Sequence, residues 1–254
     1  MYAPERQQAI VDLVNRLGRV SVTKLADDFQ VTAETIRRDM DALEAAGAIC
    51  RVHGGAIPVN AVRKPETRVD DREATHLEAK QAIARAALRL VPDHEDATIL
   101  LDSGTTTARL AQLLPPGRLR TVVTNSVPIA SFIAAHDLAQ VQLVGGRVRG
   151  LTLACVGADT VADLQRLSVN TVFLGTNGFS AHRGFTTPDP SEAAVKAAML
   201  HCGHRVVVLA DSSKINTDYL VCFADIDDVD VVVTDSAVSQ AQVQQLQNQG
   251  IRLS

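Results

Sequence analysis

The apolar run TILLD at 98–102 passes directly into Ser103, Gly104, Thr105, Thr106 and Thr107, and a helix-like segment, ARLAQLL, follows. A strand that hands small hydroxyl residues to a helix start aims several backbone N–H groups at one point. The helix dipole favours an anion there. Gly104 permits close approach and the hydroxyls add donors, so phosphate is the natural guest. Capping alone also recruits Ser and Thr to helix starts, but four hydroxyl residues around one glycine exceed what a cap requires. The segment is neither GxxxxGKS/T nor GxGxxG, which argues against nucleotide hydrolysis and dinucleotide binding.

Other apolar runs end in similar chemistry. Asn125 and Ser126 follow TVVT, Gly145 and Gly146 follow VQLV with Arg147 beside them, and Asn177 lies between glycines. Glu192 and Lys196 stand one helical turn apart in TTPDPSEAAVKAAM, and Lys214 ends DSSK. Ligands of doubly wound sheets collect at the carboxyl ends of strands, so these groups and Asp102 can converge on one crevice. Hydroxyl, amide, carboxylate and ammonium together suit a phosphorylated polyol. Glu192 with Lys196 also admits a plainer reading as a surface helix pair.

A second candidate lies near the N-terminus, where TAETIRRDM at 32–40 sets Arg37 beside Arg38. On a helix capped by Thr32, the stripe Ala33, Ile36, Met40 and Leu43 faces inward, and Glu34, Arg37, Arg38 and Asp41 face away. Guanidinium groups grip guanine or phosphate, and Thr32, Thr35 and the helix N-terminal amides can bind phosphate. A solvated face of i,i+3 and i,i+4 pairs is the alternative for one such helix. Its neighbours decide otherwise. Glu5–Leu17 carries Ile10, Leu13, Val14 and Leu17 on one stripe and stops at Gly18. Ser21 caps a short helix, VTKLADDF, two or three residues before the arginine helix. AICRVHGGAIPV then reads as a hairpin turning at Gly54 and Gly55. Helix, short turn, helix and hairpin is the order of a winged helix-turn-helix, whose second helix enters the major groove. Arg51 and His53 would supply the wing.

The elements that must hold these residues fall into two rhythms. Residues 1–58 read as helices and a hairpin, 59–77 as a polar linker, and 78–254 as alternating strands and helices. ATILLD, RTVVTN, VQLVGG, NTVFLGT, RVVVLAD and DVVVTD are short and apolar on both faces, as parallel strands covered on both sides are. The fold class expected is therefore α/β with an N-terminal winged helix-turn-helix.

Composition narrows the function. The 254 residues are 46% hydrophobic and carry a net charge of −4, and aromatics are 3% with no Trp. A protein coated in positive charge is excluded, though a local patch is not. Base-stacking platforms for single strands are unsupported. No apolar run is long enough to span a membrane, and MYAPERQQAI lacks a secretory layout. A cytoplasmic protein with no membrane partner is expected. Cys50, Cys155, Cys202 and Cys222 form no CxxC pair and read as buried thiols. His201 and His204, three apart around Cys202, show no further ligand, so no metal and no cofactor are expected.

Arg6, Ile10, Val14, Thr32, Thr35, Ile36, Arg37, Arg38, Asp39 and RVHGGA at 51–56 resemble the DNA-binding domain of DeoR-family (DeoR/GlpR-type) bacterial transcription regulators. In that family the arginine helix reads DNA. Asp39 also admits a structural role, holding Arg37 or Arg38. LDSGTTT, TNS, VGG, GTNGFS, GFTTPDPSEAAVK and DSSK are similar to the same family's C-terminal sensor domain, and the GFTTPDPSEAAVK phrase resembles actinobacterial repressors of sugar uptake and fructose genes. The resemblance implies a fold of the ribose-5-phosphate isomerase type. It also implies a repressor of sugar uptake or catabolism genes, with double-stranded operator DNA and a phosphorylated sugar effector as partners. Residues 1–58 hold seven Lys/Arg against eight Asp/Glu. One copy should therefore bind DNA weakly, and a homodimer or homotetramer on repeated half-sites is expected. The rival reading is a sugar-phosphate isomerase with an appended DNA-binding domain. Isomerisation needs a carboxylate base. Asn177 stands where related isomerases carry acids, which leaves Glu192 and Asp102 as the remaining bases.

Overall fold

Ile10 and Val14, one helical turn apart, are fully buried on Ala3–Leu17 (α1), the first helix of the computed structural model, which describes residues 2–17, 20–52, 54–58 and 67–254. Leu17, expected on the same stripe, is 42% exposed. Gly18, its expected stop, lies outside the described residues. Ser21 caps Val22–Phe29 (α2) by accepting the Lys24 N–H, and Thr32 caps Ala33–Ala45 (α3) by accepting the Thr35 N–H. Each satisfies one of the orphan donors of a helix start. Between the two helices Gln30 takes the left-handed conformation. Val22, Leu25, Ile36, Met40 and Leu43 join Ile10 and Val14 in one core. The sheet of this unit runs β1 (Val20–Ser21), β3 (Gly55–Pro58), β2 (Ile49–Val52). Gly54 turns the hairpin at φ +76°, and a side chain on Gly55 would fall on the Val20 carbonyl. Both glycines are thus required by the backbone.

The chain divides into two compact units, Met1–Pro65 with Asn216–Asp218, and Glu66–Ile215 with Tyr219–Ser254. Within the stretch expected as linker, 59–66 lies outside the described residues, while Val69–Ala74 forms a short helix (α4) and Leu77–Leu88 (α5) starts at its end.

The six apolar runs all become strands of one parallel sheet. They are β4 (Thr98–Leu101), β5 (Thr121–Thr124), β6 (Gln140–Leu143), β9 (Val169–Gly175), β12 (Gly203–Leu209) and β14 (Val231–Val233). Leu100, Val172, Leu174, Val206 and Val208 enter the core on one face. Ile99, Leu101, Val122, Phe173, Val207 and Leu209 enter the core on the other, as strands covered by helices must. β6 departs from the expectation. It is an edge strand with Gln140, Gln142 and Leu143 exposed. Thr105–Leu113 (α6) and Val127–Ala135 (α7) lie with α5 on one face. Ala158–Leu164 (α8), Pro190–Leu200 (α9) and Gln240–Asn248 (α10) supply the other. A hairpin of β7 (Arg147–Arg149) and β8 (Ala154–Val156) and an antiparallel sheet of β10 (Gly178–Ser180), β11 (Gly184–Thr187) and β13 (Val221–Ala224) complete the unit.

The strand order is β14-β12-β9-β4-β5-β6. The chain lays β4, β5 and β6 outward in one direction, then returns to place β9 on the other side of β4. The order reverses between β4 and β9, and the crevice beyond their carboxyl ends is where such sheets bind ligands.

Candidate functional site

Asp102 is the residue after β4, and Gly175 ends β9, so the two stand side by side at the reversal. The Asp102 N–H donates to the Phe173 carbonyl at 3.0 Å, and the Gly175 N–H donates to Asp102 Oδ2 at 3.0 Å. Lys196 of α9 pairs with the same Oδ2 and donates to the Gly175 carbonyl at 2.9 Å. Its ammonium also lies 5.4 Å from the centre of the Phe223 ring. Both side chains of the pair are buried. Burial pushes the Asp102 carboxyl above its ordinary range, and the Lys196 charge and the Gly175 N–H pull it back.

Glu192, one turn before Lys196, is buried as well. It accepts from Thr152 Oγ1 at 2.5 Å and from Arg149 Nη1 at 3.2 Å. Arg149 Nε reaches Asp189 at 3.1 Å, and Asp189 caps α9. The reading of Glu192 and Lys196 as a surface pair is therefore corrected. Each is buried and engaged with another element.

The start of α6 bears on the choice between cap and cradle. Its N-cap, Gly104, has an extended backbone, and no side chain caps the helix. The first-turn N–H groups of α6 are thus without the partner that Ser or Thr capping would give. Ser103 and Thr105 are half-buried at its mouth. Thr107 is corrected as a hydroxyl donor to a guest: it is fully buried and donates to the Gly104 carbonyl at 2.9 Å. Thr106 is buried too. Asn125, 2% exposed, accepts the Ser103 N–H at 3.1 Å and donates to the Cys155 carbonyl at 3.1 Å. It fixes the turn. Asn177 accepts from Thr187 Oγ1 at 3.0 Å. Gly145 and Gly146 follow β6, two strands from β4. The Gly145 carbonyl accepts from Thr160 Oγ1 at 2.7 Å. Among the described residues no hydrogen bond ties either glycine to the 102–107 turn.

Lys214 ends a 3-10 turn after β12, behind Asp211. Sequence reasoning missed its neighbour Lys80. Lys80 lies on α5 in line with Ile83, Ala84 and Ala87, and only 5% of it is exposed. A charged residue on an otherwise apolar stripe was the available signal. Its ammonium donates to the Arg72 carbonyl of α4. Burial lowers its pKa to about 8, with Lys214, Arg72 and Arg109 adding to the shift and Asp211 opposing it. Arg149, Thr152 and Asp189 were missed too, because only tertiary contact gives them a role.

In the first unit, Asp39 holds neither Arg37 nor Arg38. It accepts Arg6 Nε at 2.6 Å and Gln7 Nε2 at 3.0 Å, buried. Arg37 and Arg38 are exposed and meet Glu34 at 3.3 and 3.7 Å. Thr32 Oγ1 and Thr35 Oγ1 share a 2.9 Å hydrogen bond at the mouth of α3. Arg51 pairs with Asp41 of α3, and its N–H donates to Glu44. That ties the wing strand to the arginine helix. His53, expected on the wing, lies outside the described residues. Of the cysteines, Cys155 and Cys202 are buried as expected. Cys222 is exposed and Cys50 half-buried, which corrects the reading of all four as buried. No described helix is long and apolar enough to cross a membrane.

Residues 6–61 match the DeoR-like helix-turn-helix domain, and residues 75–236 match the DeoR C terminal sensor domain. Over 251 residues the chain is 35% identical to the HTH-type transcriptional regulator GlpR of Haloferax volcanii, covering 99% of this chain and 97% of that one. Over 255 residues it is 31% identical to the glycerol-3-phosphate regulon repressor of Escherichia coli, covering 100% and 99%. Among solved structures, ribose 5-phosphate isomerase from Methanocaldococcus jannaschii overlays 56% of this chain and 55% of its own at 17% identity and a TM-score of 0.40.

Proposed function

The chain belongs to the DeoR family of helix-turn-helix transcription regulators, and on that premise we propose a repressor of sugar uptake or catabolism genes whose grip on its operator is set by a phosphorylated sugar. It is a regulator and not an isomerase. Its matched relatives are named as a transcriptional regulator and a regulon repressor, and Asp102 and Glu192 each pair with a cation.

The observation that carries the effector reading is the uncapped start of α6 at the point where strand order reverses. Its N–H groups and the Ser103 and Thr105 hydroxyls supply donors for a phosphoryl group. Lys80 and Lys214 supply charge. Asp102, Asn177, Glu192 and Lys196 would meet sugar hydroxyls. Thr106, Thr107 and Asn125 shape the turn from behind, and Gly145 and Gly146 shape the loop after β6. On the DNA side, Arg37 and Arg38 with Thr32 and Thr35 face the major groove, and Arg51 and His53 contact the backbone from the wing. Residues 1–58 are the DNA-binding part, 59–77 the connection and 78–254 the sensor. The near-neutral charge of residues 1–58 favours a homodimer or homotetramer on repeated half-sites. An effector that prefers one subunit arrangement over another shifts operator affinity by that difference.

A thermal-shift screen of phosphorylated sugars tests this, because a ligand bound only by the native state raises Tm. The sugar phosphate that raises Tm is expected to release operator DNA in a mobility-shift assay. A full panel of triose, pentose and hexose phosphates with no effect on Tm overturns the effector reading.

A further inference from the structure

α4, the first described helix after residue 66, is only six residues long and has no side-chain cap. A helix that short has no stability of its own in water. Three ties hold it. The Val69 N–H donates to the Leu151 carbonyl at 2.9 Å, Lys80 of α5 donates to the Arg72 carbonyl, and Arg109 of α6 donates to Glu73 at 2.9 Å. Arg109 comes from α6, whose start is the candidate phosphate cradle, and Lys80 from α5, which packs against α6.

The same place gathers several cations around an unmet donor. Arg72, Arg109 and Lys214 act on the Lys80 ammonium with Asp211 opposing them, and Arg109 is paired with Glu73. The Asp211 carboxylate is already engaged, accepting from the Ser213 N–H and hydroxyl. Arg72 Nε is buried and has no hydrogen-bond partner among the described residues. A buried donor left unmet is costly. An anion seated at Arg72 Nε would meet that donor, and it would bridge α4, α5, α6 and the turn after β12.

We propose that α4 is a strap gathered by the effector's phosphoryl group, with Arg72 Nε as a ligand contact alongside Lys80, Arg109 and Lys214, so that binding orders the helix leading back to the DNA-binding part. This rests on the effector reading above. It adds that the coupling element is α4, since the helix holding a ligand contact is also the next described helix along the chain from the wing.

Hydrogen–deuterium exchange on the full-length protein tests it, using glucose 6-phosphate, fructose 1-phosphate, glycerol 3-phosphate and inorganic phosphate, with fructose as the uncharged control. With whichever phosphate raises Tm, exchange across 69–74 is expected to slow by roughly tenfold, as local opening becomes costlier, and fructose is expected to leave it unchanged. In Arg72→Met, slowing is expected to persist across 101–110 and to vanish across 69–74. A phosphate that raises Tm and slows 101–110 in the wild type while 69–74 is unmoved overturns the strap and leaves the effector reading standing. Slowing across 69–74 in Arg72→Met equal to the wild type also overturns it. No phosphate altering Tm or exchange anywhere overturns both readings. The wild-type arm decides the matter even if the variant does not fold.

Discussion

Arg6 Nε on α1 donates to Asp39 Oδ2 on α3 at 2.6 Å, and both side chains are buried. Asp39 follows directly on the two exposed arginines of the same helix. Adjacent residues of one motif therefore do different work: one clamps the helix to α1, and the others face solvent.

Asp39→Ala leaves the Arg6 guanidinium buried without its carboxylate. Losing one partner of a buried pair costs about 3–5 kcal/mol. The N-terminal unit is expected to melt at markedly lower temperature, with operator binding lost through unfolding. Circular dichroism melting of the full chain measures this, and an unchanged melt sinks the structural role.

Arg37→Ala and Arg38→Ala should leave Tm within error, because their exposed pairs with Glu34 contribute little. Each should still weaken operator binding by about 1–3 kcal/mol if it contacts a base. Fluorescence anisotropy with labelled operator reads the affinity. A variant that binds as the wild type does removes that arginine from the interface.

Asp102→Asn and Lys196→Met should each destabilise the second unit and abolish the effector response, since each strands a buried partner. The double variant should be less destabilised than the sum, with a coupling of roughly 1–3 kcal/mol. Denaturant melts of the four proteins close the cycle. Additive losses would mean the pair does not act as one unit.

Lys80 adds a pH dependence. Its folded pKa is lowered to about 8 from the ordinary 10.5, so between those values the unfolded chain holds a proton that the native chain has released. The contribution of Lys80 to stability therefore rises with pH from about 8 to 10.5. Effector affinity should move the opposite way, because the phosphoryl group needs the ammonium form. Isothermal titration at pH 7 and pH 9 should show weaker binding at the higher pH, and Lys80→Met should flatten the difference. Equal affinity at both pH values in the wild type removes Lys80 from the subsite.

Much of the arrangement could be read in advance. Five of the six strands of the parallel sheet lay in runs apolar on consecutive residues, because both faces of each needed covering, while β6 is an edge strand with Gln140, Gln142 and Leu143 exposed. The helix-turn-helix was legible in Ser21, Thr32 and the spacing of Ile36, Met40 and Leu43. β10, β11 and β13 were not legible. GFTT and VCFA are short, and their pairing bridges distant parts of the chain. Lys80 was overlooked although its place on an apolar stripe marked it. Thr107 was misjudged because a hydroxyl beside a glycine looks the same whether it faces a ligand or its own helix.

Local chemistry, then, was set by the chain order alone: where strands end, which helix begins in hydroxyls, and where two arginines share a solvent face. Period and capping act over a few residues, so they survive in the linear text. Which charges meet was left to tertiary structure. Asp102 finds Lys196, Asp39 finds Arg6 rather than its neighbours, and Lys80 finds Arg72 only when strand order and helix packing bring them within reach. Ion pairs depend on distance in space, and sequence separation carries no record of it.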